Sequence, residues 1–162
     1  MVATGEAAAT MIKEDPAKAS EAFDELLKGK NKKNAFLLVE IGRAYLDQGK
    51  TAEAAEYAQR AKDINSKCAV AYLLSGDIAL NLNDVNKASS DYNQAIYLDE
   101  DCSEAYFKYA QVYKGVDPQL SLDMLMRLQS KTPEDNASVR NWRMYIILWG
   151  NMVRQKKHTK II

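Results

Sequence analysis

The chain has 162 residues, 47% hydrophobic and 27% charged, and its 22 Lys+Arg balance 22 Asp+Glu. Twenty-two alanines against 7 glycines and 3 prolines favour helix and leave few turn formers for an all-β fold. The zero balance argues against the basic footprint of a nucleic-acid binder, and the apolar content against an acidic disordered segment.

In chain order, the first twelve residues, MVATGEAAATMI, lack a basic n-region and carry Glu6 where a signal peptide is apolar. Residues 1–34 read as a degenerate helical hairpin. Asp15-Pro16 has the form of an N-cap followed by a first-turn proline, and Ala19, Phe23 and Leu26 belong to the second helix. Residues 35–68 read as two helices. Leu38, Ile41, Gly42 and Tyr45 share one face of the first, and Ala54, Ala58 and Ala61 recur on the second. Gly49 suits the left-handed residue that ends the first helix.

The next unit, 69–102, repeats the pattern after a shift of 34 residues. Gly42 falls on Gly76, Ala54 on Ala88, Ala61 on Ala95, Ile64 on Leu98 and Cys68 on Cys102. Asp84 is placed to cap its second helix. A third unit, 103–135, puts Ala105 on Ala71, Tyr106 on Tyr72 and Ala110 on Gly76, if one residue is lost after Gly115. Asp117-Pro118 and Thr132-Pro133 repeat the cap-plus-proline signal.

The small residues have a mechanical reason. A mid-helix glycine costs about 1 kcal/mol relative to alanine, so Gly42 and Gly76 need a return elsewhere. A glycine facing an alanine on the partner helix lets two antiparallel backbones approach closely. The expectation is an all-α fold, an α-solenoid of antiparallel helix pairs in which each pair covers its neighbour's apolar face.

These residues resemble the tetratricopeptide repeat (TPR) family, whose pattern sets Leu, Gly and Tyr on a first helix, then Ala, an aromatic, Ala and a terminal Pro on a second. Residues 35–68 supply Leu38, Ile41, Gly42, Tyr45, Gly49, Ala54 and Ala61. Residues 69–102 supply Tyr72, Gly76, Ala88, Tyr92 and Ala95, and 103–135 supply Tyr106, Ala110, Tyr113, Ser121, Leu125 and Pro133. Ala58 at an aromatic position, Ser75, Ala79 and two missing prolines depart from the pattern. The resemblance implies a TPR-like superhelix that binds proteins.

Residues 136–162 break the period, and two readings stand. In one they form a C-terminal helix that caps the stack through Val139, Trp142, Ile146, Trp149 and Val153. In the other they are a partial repeat read out of frame. In the shifted phase the Asn141–Trp142 junction encodes only Leu and the Trp149–Gly150 junction only Gly, eight positions apart as the repeat requires. The basic end, Arg154, Lys156, Lys157 and Lys160, suits a helix C-terminus.

Catalytic chemistry finds no foothold. His158 is the single histidine, and two cysteines with it do not make a zinc site. Cys68 and Cys102 fall one repeat apart, about 10 Å, beyond disulfide reach. The seven glycines are dispersed, so no phosphate-binding loop is present. No enzymatic activity, catalytic residue, metal or cofactor is expected.

The expected function is a protein–protein interaction scaffold. In TPR proteins the first helices line a concave groove, and the helical wheel assigns that face here to Phe36, Val39, Arg43, Val70, Leu73, Asp77, Phe107, Lys108 and Gln111. An apolar stripe rimmed by Arg43, Asp77 and Lys108 suits an extended peptide or a helix. Val39 and Leu73 flank the core side and are the readiest to pack between first helices instead.

The family's clamp for acidic chaperone C-termini is not expected. Its sites carry Val39, Arg43, Leu74, Glu104 and Lys108, and Glu104 repels a carboxylate. The partner is expected to be a protein or peptide, not nucleic acid or a membrane, and the location cytoplasmic by default. The alternatives are a homo-oligomer that stacks through uncapped ends and a basic-tail adaptor to an acidic surface.

Overall fold

A computed structural model describes residues 5–131, with side chains described from residue 10 onward. The described residues form eight α-helices and one 3₁₀ turn. They are α1 (Gly5–Glu14), α2 (Pro16–Leu26), the 3₁₀ turn Gly29–Lys33, α3 (Ala35–Asp47), α4 (Thr51–Ile64), α5 (Ala69–Asn81), α6 (Val85–Leu98), α7 (Ser103–Tyr113) and α8 (Pro118–Lys131). The chain divides into two compact units at Leu98/Asp99, the first holding α1–α6 and the second α7 and α8. The C-terminal segment 136–162 and Thr132-Pro133 lie outside the described residues.

The helix boundaries follow from capping chemistry. Asp15 accepts a hydrogen bond from the Lys18 N–H at 3.2 Å, with Pro16 opening α2. Asp84 and Asp117 do the same for the Lys87 and Leu120 N–H groups, each at 3.0 Å. Asn34 caps α3 through the Leu37 N–H at 3.1 Å, a signal the repeat pattern alone does not mark. Gly49 ends the α3 turn at φ +71°, and one period later Asn83 takes the same left-handed place at φ 60°. Asparagine tolerates that region better than other side chains with a Cβ.

In the first unit α3 pairs with α4 and α5 with α6, and α1, α3 and α5 pack side by side as a layer of first helices. The core holds Ile12, Ala19, Phe23, Leu38, Ile41, Tyr45, Ala54, Tyr57, Ala61, Leu74 and Ile78. Phe23 meets Tyr45 edge-on at 5.8 Å, and Tyr45 stacks on Tyr57 at 5.4 Å. Burial pushes the Tyr57 hydroxyl up to about 12.

The glycines do make room, but not mainly for alanine. A Cβ on Gly42 would lie 2.7 Å from Leu74 Cδ2 and 3.2 Å from Tyr57 Cβ, with the Ala54 carbonyl at 3.4 Å. A Cβ on Gly76 would lie 2.5 Å from Tyr92 Cε1. One period apart, the same gap admits a leucine from the next first helix and then an aromatic ring from the partner helix. This accounts for Ala58 at the aromatic position: beside Gly42 the space is taken by Leu74 and the stem of Tyr57.

In the second unit α7 and α8 form the hairpin expected of residues 103–135. Ser121 stands where the other units have alanine. It is buried and donates to the Ala110 carbonyl at 2.6 Å, so the hydroxyl is satisfied across the hairpin.

Candidate functional site

A first helix flanked by two others and backed by its own partner has one side left. On α3 that side runs through Phe36, Glu40, Arg43 and Asp47, at spacings of four, three and four residues. Phe36 is 64% exposed, Glu40 and Asp47 are exposed, and Arg43 is half-buried. On α5 the corresponding side is Val70, Asp77 and Asn81. Val70 packs partly against the core. The Asp77 carboxylate accepts a hydrogen bond from the Tyr92 hydroxyl at 2.7 Å, so α6 fixes its position. Asn81 accepts from the Thr51 hydroxyl at 3.3 Å.

The expected apolar stripe is thinner than the helical wheel gives. Val39 and Leu73 are 1% exposed, and Leu74 is fully buried. These three pack in the interior and do not line an open face. The physical reason is lateral: a first helix in a stack buries residues on both flanks as well as on its core side. What remains on α3 and α5 is one exposed aromatic, a half-buried valine, Asn81 and charged groups. Phe107 and Lys108 are half-buried on α7 of the second unit and Gln111 is exposed there. Lys108 pairs with Glu104 at 3.4 Å.

Two features escaped the sequence reading. Ser75, a departure from the repeat, is buried and donates to Asp91 Oδ2 at 2.8 Å. Lys62 Nζ donates to Ser75 Oγ at 3.1 Å, and Lys87 Nζ to Asp91 Oδ2 at 3.0 Å. This chain of side chains ties α4, α5 and α6 together. Burial pulls the Lys62 ammonium below the usual lysine range against the opposing attraction of Asp91. The second feature is a shallow recess of about 550 Å³ lined by Lys30, Lys33, Asn34, Ala35, Phe36, Ile64 and Asn65. Among the described residues no group of three or more His, Cys, Asp or Glu is placed to hold a metal ion. No described helix is long and apolar enough to cross a membrane.

Two tetratricopeptide repeat family models match the sequence, one over residues 13–67 and one over 69–102. Together they cover more than half of the chain. The chain belongs to the tetratricopeptide repeat family. TPR proteins also appear among solved structures of the same fold. A crystal structure of MamA matches with a TM-score of 0.62 at 20% identity, covering 91% of this chain and 93% of that one. The first TPR of Spaghetti (RPAP3), bound to an HSP90 peptide SRMEEVD, matches with a TM-score of 0.60 at 22% identity, over 72% and 92%. The Arabidopsis OM64 TPR domain matches at 0.59 and 17% identity, over 69% and 93%. At these identities the likeness is one of fold. No curated protein matches the sequence. The TPR models end at residue 102, and α7–α8 continue beyond them as a further helix pair.

Proposed function

We propose that the chain is a non-enzymatic interaction scaffold that receives a peptide or protein segment on its first-helix face. The observation that carries this reading is the α3 line Phe36–Glu40–Arg43–Asp47. It is the uncovered side of a helix whose other sides are packed, and it sets an exposed aromatic beside charges of both signs. A face carried on a folded helix spares a partner the cost of ordering the main chain, leaving that of the side chains. On α5, Val70 and Asp77 extend the face, and the Asp77 carboxylate accepts the Tyr92 hydrogen bond. Phe107, Lys108 and Gln111 supply the corresponding face of the second unit.

The test is a double substitution, Phe36→Asp with Arg43→Glu, at one exposed and one half-buried position of this line. Helicity by circular dichroism is expected to be unchanged. Peptides enriched by the wild-type chain from a displayed library are expected to lose binding. Unchanged binding of every enriched peptide would refute the face. Leu73→Asp is unsuitable for this purpose, because its site is interior and the substitution would unfold the first unit.

A further inference from the structure

We propose that the turn joining the first two hairpins is a docking point for an acidic peptide segment that carries one apolar side chain. The recess opens at the N-terminal end of the α3 face. The inference therefore rests on the reading above and gives the partner's chemistry.

The charge comes first. Residues 28–33, KGKNKK, hold four lysines, and no acidic residue occurs between Glu25 and Glu40. Lys28 is paired with Glu25 at 2.5 Å. Lys30, Lys32 and Lys33 take part in no ion pair among the described residues. The positive end of α3 lies at the same place, since Asn34 is its cap. The fold does not demand this charge. The equivalent turn between the next two hairpins reads NSKC, and the one after it DEDC.

The shape comes second. The recess combines Lys30 and Lys33 with the Asn34 and Asn65 side chains, Phe36 and Ile64. Phe36 is 64% exposed and Ile64 38%, an apolar pair left to water beside the lysines. A carboxylate-bearing strand satisfies the lysines and can lodge one apolar side chain on Phe36 and Ile64. A flat lipid surface satisfies the lysines but projects nothing into a recess of about 550 Å³. The site is separate from the chaperone-type clamp positions, which carry Val39, Arg43, Leu74, Glu104 and Lys108.

The probe is fluorescein-labelled EDEDLDEDE, titrated by anisotropy against the full chain. Saturable binding is expected, weakening as salt rises from about 50 to about 300 mM. Lys30→Glu with Lys33→Glu is expected to weaken Kd about tenfold or more, and Phe36→Ser about threefold or more. Lys13→Glu with Lys50→Glu makes the same change in net charge elsewhere and is expected to stay within about twofold. Circular dichroism checks that each variant is folded.

Absence of wild-type binding would overturn the proposal, as would an equal loss in the control pair or no effect of Phe36→Ser. Tighter, lysine-dependent binding of oligothymidylate, or of vesicles with about 30% phosphatidylserine, would give the site to another occupant and overturn it too. So would a salt-sensitive dimer in sedimentation that Lys30→Glu with Lys33→Glu abolishes. If EDEDLDEDE binds as expected while library peptides ignore Phe36→Asp with Arg43→Glu, the face reading fails and the recess stands.

Discussion

The Tyr92 ring occupies the space where Gly76 has no Cβ, and its hydroxyl donates to the Asp77 carboxylate at 2.7 Å. One side chain thus packs α6 against α5 and holds a carboxylate on the proposed face. Gly76→Ala sets a methyl 2.5 Å from a rigid ring. Overpacking of this kind costs about 1–3 kcal/mol, against a gain of about 1 kcal/mol in helix propensity. Urea unfolding is expected to show a net loss. Gly42→Ala is expected to cost less, because the nearest atom there is the tip of a leucine.

Tyr92→Phe keeps the ring and removes the hydrogen bond to Asp77. A loss of about 0.5–1.5 kcal/mol is expected from denaturant curves. It should come with weakened binding at the α5 end of the proposed face, because Asp77 loses one of the contacts that position it. Unchanged stability and binding would show that the bond is not maintained in solution.

The Lys62–Ser75–Asp91–Lys87 chain gives an asymmetric prediction. Asp91 is 8% exposed and serves two donors. Asp91→Ala leaves Ser75 and Lys87 without that acceptor and is expected to cost about 1–3 kcal/mol. Lys62→Met removes an ammonium whose charged form burial already disfavours, and keeps the stem's packing. It is expected to stay within about 1 kcal/mol of the parent. The reverse order would contradict the assignment.

Tyr57 supplies a pH dependence. Its folded pKa is raised to about 12 from the ordinary tyrosine value of 10.0, chiefly by burial. Between those values the unfolded chain releases the proton and the folded chain keeps it. The folded state then binds more protons, so stability falls with rising pH. The contribution is complete below pH 10 and is lost as pH climbs toward 12. The stability difference between the parent and Tyr57→Phe is expected to change in that window and to be constant from pH 6 to 9. A titration of Tyr57 at its ordinary value, read from the absorbance difference between parent and variant, would refute the buried hydroxyl.

The turns offer a fifth prediction. Gly49 and Asn83 occupy equivalent left-handed positions. Gly49→Ala is expected to cost about 1 kcal/mol, and Asn83→Gly to be neutral or stabilising by a few tenths, about 0.3 kcal/mol. Asp84→Ala, which removes a cap, is expected to cost about 1 kcal/mol. Thermal unfolding of the three variants checks the set.

The period of 34 made the hairpins legible, because glycine, alanine and cap residues act locally and leave a fixed spacing. Asp15, Asp84 and Asp117 cap where the sequence placed them. The face was less legible. A helical wheel separates a core side from an outer side, but α3 also has neighbours on both flanks, so Val39 looks peripheral and is buried. The Lys62–Ser75 and Ser75–Asp91 bonds join residues 13 and 16 positions apart on three helices, which no spacing rule connects. Lys30 and Lys33 carry no repeat signal, and the recess they line also needs Ile64 from the far end of α4.

Photo-crosslinking tests the central claim, that partners bind the first-helix side. A benzoylphenylalanine is placed at Glu40 on α3 or at Gln59 on the exposed side of α4, and the irradiated chain is assayed for adducts with its bound peptide or protein. The account predicts adducts from position 40 and none from position 59. Adducts from 59 with none from 40 would place the binding surface on the second helices and contradict it.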